Sequence, residues 1–228
     1  MLLHTRLYLH FGDPGWWPGG TPFEIAVGAV LTQNTAWRNV ERAIENLSSD
    51  GLLDPAAMDS AQLGRIASLI RPSGYHNQKA GYLKELARFT VGELNGDISS
   101  LSGASVRCER ERLLALRGIG EETADSIMCY AASRPVLVVD AYTRRILSRI
   151  AGGAFGAVFD GEHHSYHRIQ NMVMKALRGD HLLYNRFHAL IVLLAKGHCK
   201  KKPSCRGCPV SDICGTGSSE HERIKMEK

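Results

Sequence analysis

The tightest constraint on how this chain can fold is a glycine hairpin set between two apolar helices. Leu113, Leu114 and Leu116 close one helical stretch, and Arg117-Gly-Ile-Gly120 interrupts it. The paired glycines continue a helix poorly, but they supply the positive φ and close backbone approach of a tight turn. A second helix is predicted from Glu121, with Ala124, Ile127, Met128 and Ala131 on one face. Such a helix opens with backbone N–H groups that lack intrahelical partners, and these bind phosphate without any side chain. Pro135-Val-Leu-Val-Val139 follows, and Asp140 heads a third helix.

The remaining pattern is also helical. Phe23 to Leu31 is apolar all round, which predicts a buried helix. It runs into Thr32-Gln33-Asn34-Thr35-Ala36-Trp37, whose plain reading is capping and turn chemistry. Asp59-Ser-Ala-Gln62 has the form of a capping box ahead of Leu63, Ile66, Ala67 and Ile70. Arg71-Pro72 stops that helix. Leu83, Leu86, Ala87, Thr90 and Leu94 form the next stripe, and Asn95-Gly96-Asp97 is a turn. Lys79, in that stretch, reads as a solvated lysine, with a phosphate contact as the alternative. After Asp140, Ile146, Leu147 and Ile150 face inward while Arg144, Arg145 and Arg149 give a basic face. Tyr184 to Ala195 is the last core helix, and His188 in it reads as a hydrogen-bonded core residue. Trp16-Trp17-Pro18 stands in a loop of glycine and proline, where the plain reading is a tryptophan pair packing the loop down.

The chain has 228 residues, 44% of them hydrophobic, and a formal charge of +5. That is enough for one compact unit or two small lobes, and it permits nucleic acid without requiring it. His4, Arg6 and His10 break the apolar start, so Met1 to Phe11 is neither a signal peptide nor a membrane span. A cytoplasmic, reducing compartment without a membrane partner is expected. His163 and His167 sit one turn apart, but no third ligand accompanies them, and histidines on a solvated helix need no metal.

The cysteines form a second strong pattern, Cys199-x5-Cys205-x2-Cys208-x5-Cys214, with four of the chain's six inside sixteen residues. Disulfides are disfavoured without a secretory signal. Zinc usually takes two closely spaced pairs, and only Cys205 and Cys208 make one. Four thiolates in a loop suit a [4Fe–4S] cube, with zinc as the alternative. Cys108 and Cys129 fall in helices. Lys200, Lys201, Lys202 and Arg206 make the cysteine loop a compact basic patch suited to phosphate. The tail from Gly215 reads as disordered.

Leu116-x-Gly118-Ile119-Gly120-x-x-Thr123-Ala124, followed by Val138-Val139-Asp140, resembles the helix-hairpin-helix signature of the endonuclease III superfamily of DNA glycosylases. The cysteine spacing resembles that family's iron–sulfur loop, with one residue fewer in the first gap. Within the superfamily the chain is most similar to the 3-methyladenine glycosylase III branch. It shares Trp-Trp-Pro, Thr-Gln-Asn-Thr with an aromatic two positions on, and Arg71-Pro-Ser-Gly74 followed by Asn77-Gln-Lys-Ala80. That branch differs in lacking the cluster cysteines.

The resemblance implies an all-α protein of two lobes with double-stranded DNA in the groove between them. The six-helix domain is expected over residues 23–134, with the hairpin at about 113–131. The second domain would combine 1–22 and 135–228 and carry the cluster loop at 199–214. The expected enzyme works as a monomer on DNA bearing a damaged base. It flips the damaged nucleotide out to reach C1′. Gly118, Gly120 and Thr123 would hold phosphate. A monovalent cation would sit at the carbonyls of Leu114, Leu116 and Ile119. Gln33 would fill the vacated space, and Trp17, Pro18 and Trp37 would stack on the base. Asp140 would stabilise positive charge on the sugar and position water; without the hairpin and the cysteines the plain reading is a helix cap, and both can be true.

Bifunctional members of the superfamily carry a lysine two residues after the second hairpin glycine, and its amine attacks C1′ to form a Schiff base. Glu122 stands there in this chain, and a carboxylate cannot do this. A monofunctional glycosylase is therefore expected. Alkylated purines such as 3-methyladenine, already cationic, need only an aromatic clamp and a carboxylate. Uracil or 8-oxoguanine is the alternative substrate. A bifunctional lyase and a non-catalytic DNA-binding redox sensor are the weaker readings.

Overall fold

The computed structural model describes residues 2–15, 19–103, 105–151 and 166–217. Among these every regular element is helical. The helices are α1 (Leu2–Phe11), α2 (Pro22–Leu31), α3 (Trp37–Ser49), α4 (Pro55–Ser60), α5 (Leu63–Leu69), α6 (His76–Leu94), α7 (Val106–Leu114), α8 (Glu121–Ser126), α9 (Ala141–Ala151), α10 (Tyr166–Leu177) and α11 (His181–Gly197). No helix among the described residues is long and apolar enough to cross a membrane. The chain divides into a continuous unit, Trp17–Val136, and a split unit, Met1–Trp16 with Leu137–Lys228.

The continuous unit is built round α2. Thr21 caps it by accepting from the Glu24 N–H, and Pro22 opens its first turn without losing a hydrogen bond. Phe23 and every residue from Ala26 to Leu31 are buried. Helices α3, α6 and α8 pack against it. Each fully buried Leu, Ile or Phe stabilises the unit by roughly 1.5–3 kcal/mol. Helix α6 ends at Asn95 and Gly96, both with left-handed φ, as the Asn-Gly pair predicts. Helix α8 continues into a π-helical turn, Ile127–Ala131, whose residues are all buried. There the Ala132 N–H reaches back five residues to the Ile127 carbonyl, at 3.0 Å.

Two expectations fail here. The capping box at Asp59 to Gln62 does not form: Asp59 lies inside α4, and Gln62 begins α5 with no side-chain cap. The acid that caps lies one helix earlier, where Asp54 accepts from the Ala57 N–H ahead of Pro55. Lys79 is not solvated. It is 2% exposed, and its Nζ donates to the carbonyls of Leu31 and Ser73, at 2.8 Å each. The amine thus ties the end of α2 to the turn before α6. Burial pulls it down to about 8.

In the split unit, α1 and α9 pack on α11. Asp180 caps α11 by accepting from the Leu183 N–H, and the helix buries Tyr184, Phe187 to Val192, Leu194 and Ala195. Helix α10 holds the segment before Asp140. Gln170 Nε2 donates to the Leu137 carbonyl, and the Tyr166 hydroxyl accepts from the Val139 N–H.

Candidate functional site

The hairpin is held from three directions within the continuous unit. Gly118 has φ +83°, and any Cβ there would run into the Tyr82 ring of α6, so only glycine fits. From the same helix, Glu85 accepts from the Arg117 N–H at 2.9 Å. The Leu116 carbonyl closes the turn by accepting from the Ile119 N–H. Behind the hairpin, Arg110 of α7 grips Asp125 of α8 through two hydrogen bonds, of 2.6 and 3.2 Å. The third hold comes from the turn after α2. Gln33 Nε2 donates to the Gly118 carbonyl (2.8 Å) and to Thr123 Oγ1 (3.0 Å). Thr123 is itself buried. Glu121 and Glu122 lie in the first turn of α8, where acids complement the helix dipole.

Trp37 begins α3, and its Nε1 donates to Glu41 at 2.8 Å. It lines a cavity of about 280 Å3 together with Gly19, Gly20, Gly28, Glu24 and Glu45. Trp17 and Pro18, expected beside it, lie outside the described residues, as does His163.

Asp140 lies in the split unit. Its Oδ1 accepts from both the N–H and the hydroxyl of Thr143, at 2.7 and 2.8 Å, so the capping reading holds. Its Oδ2 turns to His188 Nε2 of α11, 3.5 Å away, and both side chains are largely buried. Burial pushes the Asp140 carboxyl up, but the neighbouring imidazole and the Thr143 bonds outweigh it, so the group stays ionised below the usual carboxylate range. A carboxylate at a helix start, held ionised by its neighbours, can stabilise a developing cation.

Cys199, Cys205, Cys208 and Cys214 all line one cavity beside Arg149 and Val210. Burial pushes the Cys208 thiol up, and the nearby Cys214 and Cys199 add to this. Among the described residues, no group of three or more His, Cys, Asp or Glu side chains is placed to hold a metal ion. A cubane asks for something else, one thiolate at each of four corners. Arg145 and Arg149 of the basic face also serve the cysteine loop. Arg145 donates to the Cys199 carbonyl (2.9 Å), and Arg149 to the carbonyls of Lys200 (2.6 Å) and Lys201 (2.9 Å). Both tie the loop to α9. Lys200, Lys201, Lys202 and Arg206 are exposed.

A family model described as the HhH-GPD superfamily of base excision DNA repair proteins matches residues 27–154, which include the hairpin and Asp140. The chain belongs to that family. Over 213 residues it is 40% identical to a candidate DNA repair glycosylase, MJ1434 of Methanocaldococcus jannaschii, covering 93% of this chain and 94% of that one. It is 29% identical to the thymine-DNA glycosylase of Aeropyrum pernix over 91% of this chain and 89% of that one. Among solved structures it is similar to the Helicobacter pylori 3-methyladenine DNA glycosylase MagIII bound to 1,N6-ethenoadenine. That match has a TM-score of 0.72 at 29% identity and covers 86% of this chain and 96% of that one. The HhH-GPD fold and these relatives make the protein a DNA glycosylase of base excision repair, acting on DNA.

Three features of this HhH-GPD protein escaped the sequence. They are the Gln33 contact with the hairpin, the His188 contact with Asp140, and the buried Lys79. Each is a polar pair distant in sequence, for which neither periodicity nor spacing gives a signal.

Proposed function

We propose that this glycosylase is monofunctional and removes alkylated purines of the 3-methyladenine type from duplex DNA, leaving an abasic site with the strand intact. The observation that carries the mechanism is Glu122 where a lyase would hold its lysine. Without an amine at that position no Schiff base forms, and water is the nucleophile. The C1′–N bond breaks with its electron pair leaving on the base. Positive charge builds on the sugar, and a water oxygen bonds C1′ and gives up a proton. Asp140, ionised and fixed by Thr143 and His188, stabilises that charge and orients the water. A purine already cationic from alkylation leaves neutral and needs no strong general acid.

The substrate reading is supported by the likeness to the Helicobacter pylori enzyme and by the setting of Trp37. Its cavity carries Glu24, Glu41 and Glu45, which favours a cation over a neutral base. Trp17 and Pro18 would complete the clamp, and Gln33 would enter the duplex. Gly118, Gly120, Thr123 and the exposed Lys200, Lys201, Lys202 and Arg206 would hold phosphate, with a monovalent cation at the hairpin. A second reading, removal of thymine or uracil, is favoured by the equally similar Aeropyrum pernix relative. The four cysteines would hold a [4Fe–4S] cluster, which orders a loop with no core of its own. We read the protein as a cytoplasmic monomer.

The test is a panel with purified protein. Methylated DNA is scored for free 3-methyladenine and 7-methylguanine. Duplexes with uracil, a thymine mismatch or 8-oxoguanine are scored before and after alkali. Release of methylated purines alone supports the first reading. Nicking of the uracil or mismatch strands only after alkali moves the substrate to the second. Nicking without alkali overturns the role given to Glu122. Iron and acid-labile sulfide in equal amounts would identify the cluster, and zinc alone would refute it.

A further inference from the structure

We propose that Gln33 is a brace for the hairpin, so that it sets affinity for every duplex, damaged or not, before any base is flipped. This rests on the reading that the hairpin grips DNA phosphate. It goes beyond that reading, in which Gln33 acts only after the nucleotide has left the stack.

The geometry gives the side chain a position and a direction. Only an NH2 group can serve a carbonyl, so the Gly118 contact fixes which end of the amide faces the hairpin. That NH2 has two N–H bonds and two acceptors, the Gly118 carbonyl and Thr123 Oγ1. The acceptors stand on either side of Gly120, the residue from which α8 starts. One amide therefore spans the turn and fixes the glycine peptide relative to the first turn of the helix. Gln33 is in turn held by its own segment. Thr32 Oγ1 donates to the Gly28 carbonyl, and the Lys79 amine holds the Leu31 carbonyl just before it. The chain of support runs from Lys79 through the end of α2 and Gln33 to the hairpin, all within the continuous unit.

A brace and a wedge make opposite predictions for undamaged DNA. Gln33→Met keeps the length and bulk a wedge needs but removes both donors. Fluorescence anisotropy would measure its affinity for an undamaged duplex and for one carrying an abasic-site analogue, over a series of salt concentrations. Loss of two neutral hydrogen bonds at the hairpin should weaken both duplexes alike, by about tenfold. The slope of log K against log salt should fall by about 1, one phosphate contact. A merely less stable protein would change the active fraction and leave that slope alone. A loss confined to the abasic duplex, or no loss at all, overturns the brace. Gly118→Ala, measured alongside, separates the two levels. If it leaves duplex affinity unchanged, the hairpin is not the grip and the underlying reading falls. If it weakens binding while Gln33→Met spares undamaged DNA, only the brace falls.

Discussion

Arg110 and Asp125 join the two helices of the hairpin, and removing one partner should be far worse than removing both. The Asp125 side chain is 0% exposed and that of Arg110 12% exposed. Arg110→Met takes the guanidinium away from a buried carboxylate, which typically costs about 3–5 kcal/mol. At roughly 2–4 °C per kcal/mol for a chain of this size, Tm should fall by about 6–20 °C. Glu121 stands 3.8 Å from the same guanidinium but is 43% exposed, so its loss adds little. The double variant Arg110→Met/Asp125→Leu replaces both ions with apolar groups of similar volume, and such replacements are often neutral. Thermal unfolding by circular dichroism is the assay, with undamaged-duplex affinity measured in parallel. The single variant should lose affinity as well as stability if the hairpin grips phosphate as proposed, because the hold between α7 and α8 behind that turn is lost. The double variant should recover most of the stability. A single variant melting within about 2 °C of wild type would refute the claim that this pair carries a buried charge. A double variant as unstable as the single would show that shape, not charge, is what the pair supplies.

Three further predictions follow from buried groups. The Lys79 amine titrates near 8 in the folded protein and at roughly 10.4 in an unfolded chain. Between these values the unfolded state holds a proton the native state has released, so stability contributed at this site rises with pH. Wild type should gain on Lys79→Met as pH is raised from about 8 to about 10, and a gap flat with pH would contradict it. Asp140→Asn should cut single-turnover base release by about a hundredfold or more while sparing duplex affinity. In that background His188→Leu should add little, and additive losses from the two changes would show that His188 does not act through the carboxylate. Cys129 is buried, its thiol pushed up to about 12 by that burial and then by the charge of Asp125. It should resist alkylation in the native protein while the exposed Cys108 reacts. Equal labelling of the two would refute this.

The parts of the fold written in local pattern were legible in the sequence. The largely apolar stretch at Phe23 to Leu31 is the buried centre of its unit, the glycine turn at Gly118 and Gly120 joins two helices, and Asp140 caps its helix. These depend on residues three or four apart, or on one residue's backbone freedom. What was not legible depends on the third dimension. Asn77-Gln-Lys-Ala80 has the composition of a surface turn, yet its lysine reaches a carbonyl 48 positions away. Arg145 and Arg149 have the spacing of a basic face, but that spacing does not show that their guanidinium groups also donate to carbonyls of the cysteine loop. The capping signal at Asp59 misled because a short helix, capped by Asp54, already occupied it. For the candidate site, the sequence let residues be named, while the contacts that orient Gln33 and Asp140 were not legible.

The split of one unit around the other bears on synthesis. The continuous unit is complete once residue 136 has emerged, and it can bury its core while the ribosome is still at work. Helix α1 emerges ahead of the continuous unit but packs on α11, which begins about 170 residues after α1 ends. At about 5–20 residues per second, the apolar side of α1, with Leu7, waits for its partner for roughly 10–30 s. That interval is a window in which a nascent-chain chaperone has a reason to hold α1.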